Sequence, residues 1–174
     1  MERVTAYHGT SKKFSKFDYD KIGSVNGTDS GFGFYFTSEQ GEALMYGDIV
    51  MEVELRLKRK CSSTDKTFTR SFVENKFLPE LKRAYNADYV MQHFDGDTKT
   101  AIDLLYDSSE TDVDIIGELV NSMFGGNPEK VLKSISKLGY NYTEEKKSLV
   151  DSNNAIHYVM FDNNDIKILK SQNI

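Results

Sequence analysis

Runs that alternate apolar and polar residues stand at both ends of this chain, and a block with helical periodicity lies between them. That segregation limits the fold more than any other feature, because strands followed by helices and then strands give α+β rather than alternating α/β. Val4 to His8 sets Val4, Ala6 and His8 on one side of a strand, with Thr5 and Tyr7 on the other. A long loop from Ser11 to Ser30 precedes a second strand over Phe32 to Phe36. Loops of such length in compact domains are usually functional or mobile. Thr37 is expected to open a short helix, with Gln40 as capping-box partner and Gly47 as its stop. Ile49 to Leu57 alternates Val53, Leu55 and Leu57 against Glu52, Glu54 and Arg56, a half-exposed strand.

The block from about 69 to 138 reads as a helical insertion. Phe77, Leu81 and Tyr85 recur every four residues, with Pro79 near a helix start. Thr111 is a cap with Asp114 in the first turn, and Gly125-Gly126 ends that helix. Asn127-Pro128-Glu129 opens another helix, whose apolar stripe is Val131, Leu132, Ile135 and Leu138 and whose stop is Gly139. The acidic stretch from Asp103 to Glu118 reads as a solvated face. Tyr140 to Tyr142 and Ser148 to Val150 are candidate strands around a charged turn at Glu144 to Lys147. Ile156 to Phe161 is the clearest strand, followed by an Asn163-Asn164 turn and a short strand over Ile166 to Leu169.

A chain of 174 residues with 39% hydrophobic content is expected to form a single domain around one core. A net charge of −5 argues against a general nucleic-acid binder, which needs a basic face to displace counterions. Cys61 is the only cysteine, so no internal disulfide can form. One cysteine and three histidines also make a poor set for structural zinc, and no metal is expected. No apolar stretch approaches the roughly 20 residues that span a bilayer. Met1-Glu2-Arg3-Val4 leads straight into a strand without a leader pattern. The expectation is a soluble, cytoplasmic protein with no membrane partner.

Three strands carry a polar residue where an apolar one would pack better, and such groups cost free energy unless satisfied. The blocks concerned are Ala6-Tyr7-His8-Gly9-Thr10, Gly31-Phe32-Gly33-Phe34-Tyr35-Phe36-Thr37 and Ala155-Ile156-His157-Tyr158-Val159-Met160-Phe161-Asp162. With Tyr46 placed eleven residues after Tyr35, the chain resembles the ADP-ribosyltransferase superfamily, in the branch shared by diphtheria-type toxins and poly(ADP-ribose) polymerases. It is most similar to small transferase-like proteins of phages and mobile elements, through Phe14 to Asp18, the Leu138-Gly139-Tyr140 segment and a strand like Tyr158 to Lys167. The resemblance implies a split antiparallel sheet core carrying the helical insertion.

It also implies roles, with NAD⁺ as co-substrate and no metal. His8 would hold the adenine-side ribose, and the Gly9 backbone the nicotinamide carboxamide, where the lack of a Cβ permits close approach. Tyr35 and Tyr46 would sandwich the nicotinamide ring. Thr10, Gly33 and Phe34 complete the cofactor-binding set. The loop from Lys21 to Gly31 would cover the adenosine and pyrophosphate, with Lys21 or Lys16 as phosphate partner.

At one position the chain departs from the family's pattern. His157 stands where active members carry a glutamate, which accepts a hydrogen bond from the nicotinamide ribose and offsets the charge of an oxocarbenium-like transition state. Neutral imidazole can accept the bond but brings no negative charge. Loss of one such stabiliser typically costs on the order of 10²–10³ in rate, so the departure bears on catalysis more than on binding. Glu144, Glu145 and Asp151 are the nearby acids, with Asp151 or Glu145 the better placed; Asp162 should face away along a regular strand. The expected function is mono-ADP-ribosyl transfer from NAD⁺ to a protein acceptor of a host or competing system, with Tyr35 and His157 as catalytic residues. The alternative is an inactive NAD-binding or protein-interaction module of the same fold. Transfer to nucleic acid is a third reading, opposed by the net charge.

Overall fold

The computed structural model describes residues 1–23, 31–85, 97–123, 126–146 and 155–173. Strands β1 (Glu2–Thr10), β2 (Phe34–Thr37), β3 (Ile49–Leu57), β4 (Arg59–Lys60), β5 (Tyr140–Lys146), β6 (Ile156–Met160) and β7 (Ile166–Asn173) form one sheet. Their order is β4-β5-β6-β2-β1-β3-β7, antiparallel except for the β4–β5 pair. This is an α+β fold, with most of its helices between β4 and β5 in the chain.

The sheet is two wings with a narrow join. In one wing β1 runs beside β3 from the Glu2–Leu57 pair to the Thr10–Ile49 pair, and β7 follows. In the other, β2, β6 and β5 are paired along Phe34–Met160 to Thr37–His157 and Tyr142–Met160 to Lys146–Ile156. Between the wings the only registered pair among the described residues is Tyr7 with Thr37.

A second tie lies at the far corner. There the Asn141 side chain on β5 donates to the Arg56 carbonyl at 2.7 Å and to Asp165 at 2.8 Å, and accepts from the Lys58 amide at 2.9 Å. Lys58 Nζ reaches the same Asp165 oxygen at 2.8 Å. Asn141 is fully buried, and a buried amide satisfied on three sides fixes the strands it links.

Residues of both wings share one hydrophobic cluster: Ala6, Val53 and Leu55 from the first, Phe34, Phe36 and Met160 from the second. The helices cap this core. Arg70–Phe72 (α2), a π-helical stretch Val73–Phe77 and Leu78–Tyr85 (α3) follow without a break, so Pro79 lies within a helical run rather than at a helix start. Proline lacks an N–H and crowds the carbonyl four residues back, and the wider π turn just before it relieves that crowding.

Thr98–Ser108 (α4) comes next. Asp112–Glu118 (α5) starts with the expected Thr111/Asp114 capping box, and its following π turn closes with the Gly126 amide on the Val120 carbonyl. Pro128–Lys137 (α6) has Asn127 as its cap and buries Val131, Leu132 and Ile135 completely. No helix among the described residues is long and apolar enough to cross a membrane.

The structure corrects several local expectations. Glu144 and Glu145 lie in β5, which runs unbroken to Lys146, not in a turn. The expected strand over 148–150 and Asp151 fall outside the described residues. Asp162 is not a strand residue but the cap of the Asn163–Asp165 turn, accepting from the Asn164 amide. Thr37 ends β2, and no capping box with Gln40 forms: the helix Gln40–Ala43 (α1) starts after Glu39. Gly47 does end the 3₁₀ turn Leu44–Tyr46 that continues α1.

The acidic stretch from 103 to 118 is only partly a solvated face. Asp103 and Asp107 pair with Arg70 at the surface, but Asp112 is fully buried. It accepts from the amides of Ser62 at 2.9 Å, Thr67 at 2.7 Å and Phe68 at 2.7 Å, and from the Thr67 hydroxyl at 2.5 Å. One carboxylate therefore organises the 62–68 segment. Asp112→Ala strands these donors, each at about 1–3 kcal/mol, and should cost on the order of 3–5 kcal/mol. Urea unfolding with an unchanged slope measures it, and a loss under about 1 kcal/mol would remove Asp112 from this role.

Candidate active site

Beyond the Tyr7–Thr37 pair, continuing the same register would bring Gly9 opposite Tyr35. The strands pair no further, and the His8 ring meets the Tyr35 carbonyl instead, Nδ1 to oxygen 2.9 Å. A carbonyl only accepts, so Nδ1 carries the proton, and in the neutral ring Nε2 is left as an acceptor. His8 is wedged among rings: Phe17 with centroids at 5.1 Å, Phe36 at 5.7 Å and Phe14 at 5.8 Å. This gives the Phe14-to-Asp18 segment its purpose. Its two phenylalanines pack on His8, and Asp18 caps the Tyr19–Lys21 turn.

Burial pushes the His8 imidazole below its usual value of 6.5, against the smaller opposing effect of the Tyr35 carbonyl. As pH falls the unfolded chain binds this proton first, so stability contributed here is present above about 6.5 and lost below it. Wild type should therefore lose more melting temperature than His8→Gln between pH 7.5 and 5. Parallel losses in the two proteins would show that His8 is not buried as a neutral ring.

The opposite face of these strands gathers the remaining polar groups. Tyr35 and Thr37 alternate with the core residues Phe34 and Phe36, and His157 is the direct cross-strand partner of Thr37. α1 covers this face. A Cβ on Gly9 would lie 1.7 Å from the Ala43 carbonyl oxygen and 3.1 Å from Tyr46 Cβ, so Gly9 lets α1 and its 3₁₀ turn sit on β1. Gly9→Ala should therefore destabilise the ligand-free protein, by about 1–3 kcal/mol as for overpacking in general. Thermal unfolding without NAD⁺ tests this, and an unchanged melting temperature would restrict the glycine's role to a ligand.

The start of β6 is tied to the residue that leads from β2 into α1. The Ser38 amide donates to the Ile156 carbonyl at 2.8 Å, and the Ile156 amide to Ser38 Oγ at 3.0 Å. This double tie sets the start of β6 beside α1. His157 Nε2 then lies 2.6 Å from Glu42 Oε2, and Thr37 Oγ1 lies 3.3 Å from the same oxygen while accepting the Glu39 amide at 3.2 Å. Glu42 is 1% exposed and the His157 side chain 13%. The Tyr46 phenol is pushed up, first by burial and then by the charge of Glu42.

Tyr35, Tyr46, Gly9 and His157 thus share one face. His8 approaches from the other side of the join, and Phe34 lies in the core against Phe17 and Tyr19. Gly33 sits where a Cβ would strike the Met160 carbonyl oxygen at 2.7 Å, so close strand packing accounts for it. Thr10 closes a small turn, its Oγ1 accepting the Lys12 amide at 3.3 Å. The Tyr35 hydroxyl donates to the Gly31 carbonyl. Lys16 lines a separate cavity of about 360 Å³ with Tyr19 and Lys133. Of the loop expected to cover the dinucleotide, residues 24–30 lie outside the described residues.

Glu42 is the residue that sequence reasoning missed. Its partner is 115 positions away, and Ser38 to Gly47 looks like an ordinary exposed helix. Glu145, considered as a substitute acid, is the cross-strand partner of His157 on β5 but is exposed.

A family model described as ADP-ribosyltransferase in polyvalent proteins matches residues 2–173. The chain belongs to this family. The split α+β sheet agrees with an ADP-ribosyltransferase fold, and membership supports ADP-ribosyltransferase activity in general, with NAD⁺ as the family's co-substrate. A search of the curated proteins gave no match. A solved structure titled "Crystal structure of an anti-CRISPR protein" is similar over 96% of each chain, at 14% identity and a TM-score of 0.37.

Proposed function

We propose that this family member is a mono-ADP-ribosyltransferase that moves ADP-ribose from NAD⁺ to a protein acceptor. The observation that carries the reading is the gap where β1 and β2 part, with Tyr35, Tyr46, Gly9 and His157 on one face of it and His8 closing the other. Tyr35 and Tyr46 hold the nicotinamide ring. The Nε2 lone pair of His8, kept neutral by burial, accepts a ribose hydroxyl. Thr10, Gly33 and Phe34 act by shaping the strands around the pocket rather than by touching the dinucleotide.

The reaction is substitution at the anomeric carbon. The bond from C1′ to the nicotinamide nitrogen breaks, and its electron pair leaves with nicotinamide. A lone pair of the acceptor side chain makes the new bond to C1′, and the acceptor's proton passes to water. Positive charge collects on C1′ and the ring oxygen at the transition state, so negative potential on that side speeds the step. The acceptor is read as protein because the chain carries a net charge of −5, which opposes a phosphate-rich partner.

NAD⁺ labelled in its adenylate, incubated with the protein and host lysate, should leave label on protein and release nicotinamide. Tyr35→Ala should lower both by on the order of 10²-fold through loss of positioning. Label that survives protease but not nuclease would move the acceptor to nucleic acid. NAD⁺ binding by calorimetry with no nicotinamide released would replace the enzyme by a binding module of the same fold.

A further inference from the structure

The strand position that should carry a carboxylate carries His157 instead, yet a carboxylate is present. It comes from α1, in the form of Glu42, at 2.6 Å from His157 Nε2. An ionised carboxylate can only accept, so the proton between them sits on Nε2. His157 Nδ1 makes no hydrogen bond among the described residues, and in the neutral ring this nitrogen is an acceptor. We infer that Glu42 is the positioning residue of the transfer site, holding the His157 ring with its proton on Nε2 and Nδ1 turned to a ribose hydroxyl of NAD⁺, and supplying the negative charge that the strand lacks.

The inference rests on the transferase reading above and extends it to how the site works without the usual glutamate. The unit that replaces that glutamate is a relay: the hydrogen-bond acceptor is on β6, and the charge is one imidazole behind it. During the step neither residue gives up electrons or a proton. The C1′–N pair departs with nicotinamide, the acceptor provides the new pair, and the Glu42–His157 unit holds a hydroxyl beside the developing cation.

Three features support Glu42 over the other acid at hand. It is buried, so solvent and salt screen it little, whereas Glu145 is exposed. Its position is fixed by the Thr37 hydroxyl, by the seat of α1 on Gly9 and by the Ser38–Ile156 tie. It also lies close enough to Tyr46 to push that phenol up, so its field reaches the pocket wall.

The test uses the whole chain. Glu42→Gln keeps the size and an oxygen that can still accept from Nε2, and removes the charge. It should lower the kcat of nicotinamide release by on the order of 10²–10³, with a much smaller change in calorimetric affinity for NAD⁺. Adding His157→Glu to that variant returns one carboxylate to the strand and should restore release above the Glu42→Gln level. His157→Glu alone sets two carboxylates side by side and should release less nicotinamide than the double variant.

Wild-type kcat in Glu42→Gln, or a double variant no better than the single one, would overturn the role of Glu42 and leave the transferase reading standing. Absence of both NAD⁺ binding and nicotinamide release in wild type would overturn that reading, and the inference with it. Nitrogen NMR of ¹⁵N-histidine-labelled wild type gives a measure that no variant's folding can disturb. At pH 8 His157 should show its proton on Nε2, and the opposite tautomer would overturn the proposal.

Discussion

Among the described residues one backbone pair, Tyr7 with Thr37, joins the two wings of this sheet, and the candidate site depends on that short join. An unbroken antiparallel ladder would satisfy its own N–H and C=O groups and leave no room between β1 and β2. When the ladder stops, the groups it would have paired need other partners. The Tyr35 carbonyl finds the His8 ring, and the start of β6 finds Ser38. The His8 side chain is therefore one means by which the sheet splits without orphaning its backbone.

A split sheet needs a second tie, or the wings would move independently. Asn141 supplies it at the opposite corner, linking the end of β3 to β5 and sharing Asp165 with Lys58. The site thus lies between two fixed points, one a single backbone pair and the other a buried amide. Rigid elements on both sides allow a few side chains to be held at hydrogen-bond distances without a bound ligand.

Much of this could be read from the sequence, for reasons visible in particular residues. Ile49 to Leu57 alternates from Met51 onward, and the half-buried strand has the same ends. Thr111/Asp114 and Asn127-Pro128 are local signals, and local chemistry decides helix starts. The family blocks gave the order of the site strands. What could not be read depended on contacts far apart in the chain. Asp112 looks like one of many surface acids until the 62–68 segment wraps around it. The Glu144–Lys147 charges suggested a turn, but pairing with β6 holds Glu144 to Lys146 extended, because ladder bonds outweigh local propensity. Pro79 suggested a boundary, and the π turn before it absorbed the disruption.

Glu42 shows the same limit in its most consequential form. A search for a replacement acid naturally begins beside His157 in sequence, where Glu144, Glu145 and Asp151 stand. Space is organised differently: α1 is laid across β1 because Gly9 has no side chain, and that placement carries Glu42 to the end of β6. The glycine and the carboxylate belong to one arrangement. With a Cβ at position 9, α1 must lift, and the buried carboxylate would leave His157 with a polar partner removed. A short helix seated on a glycine thus brings a buried carboxylate to 2.6 Å from an imidazole 115 positions away in the chain.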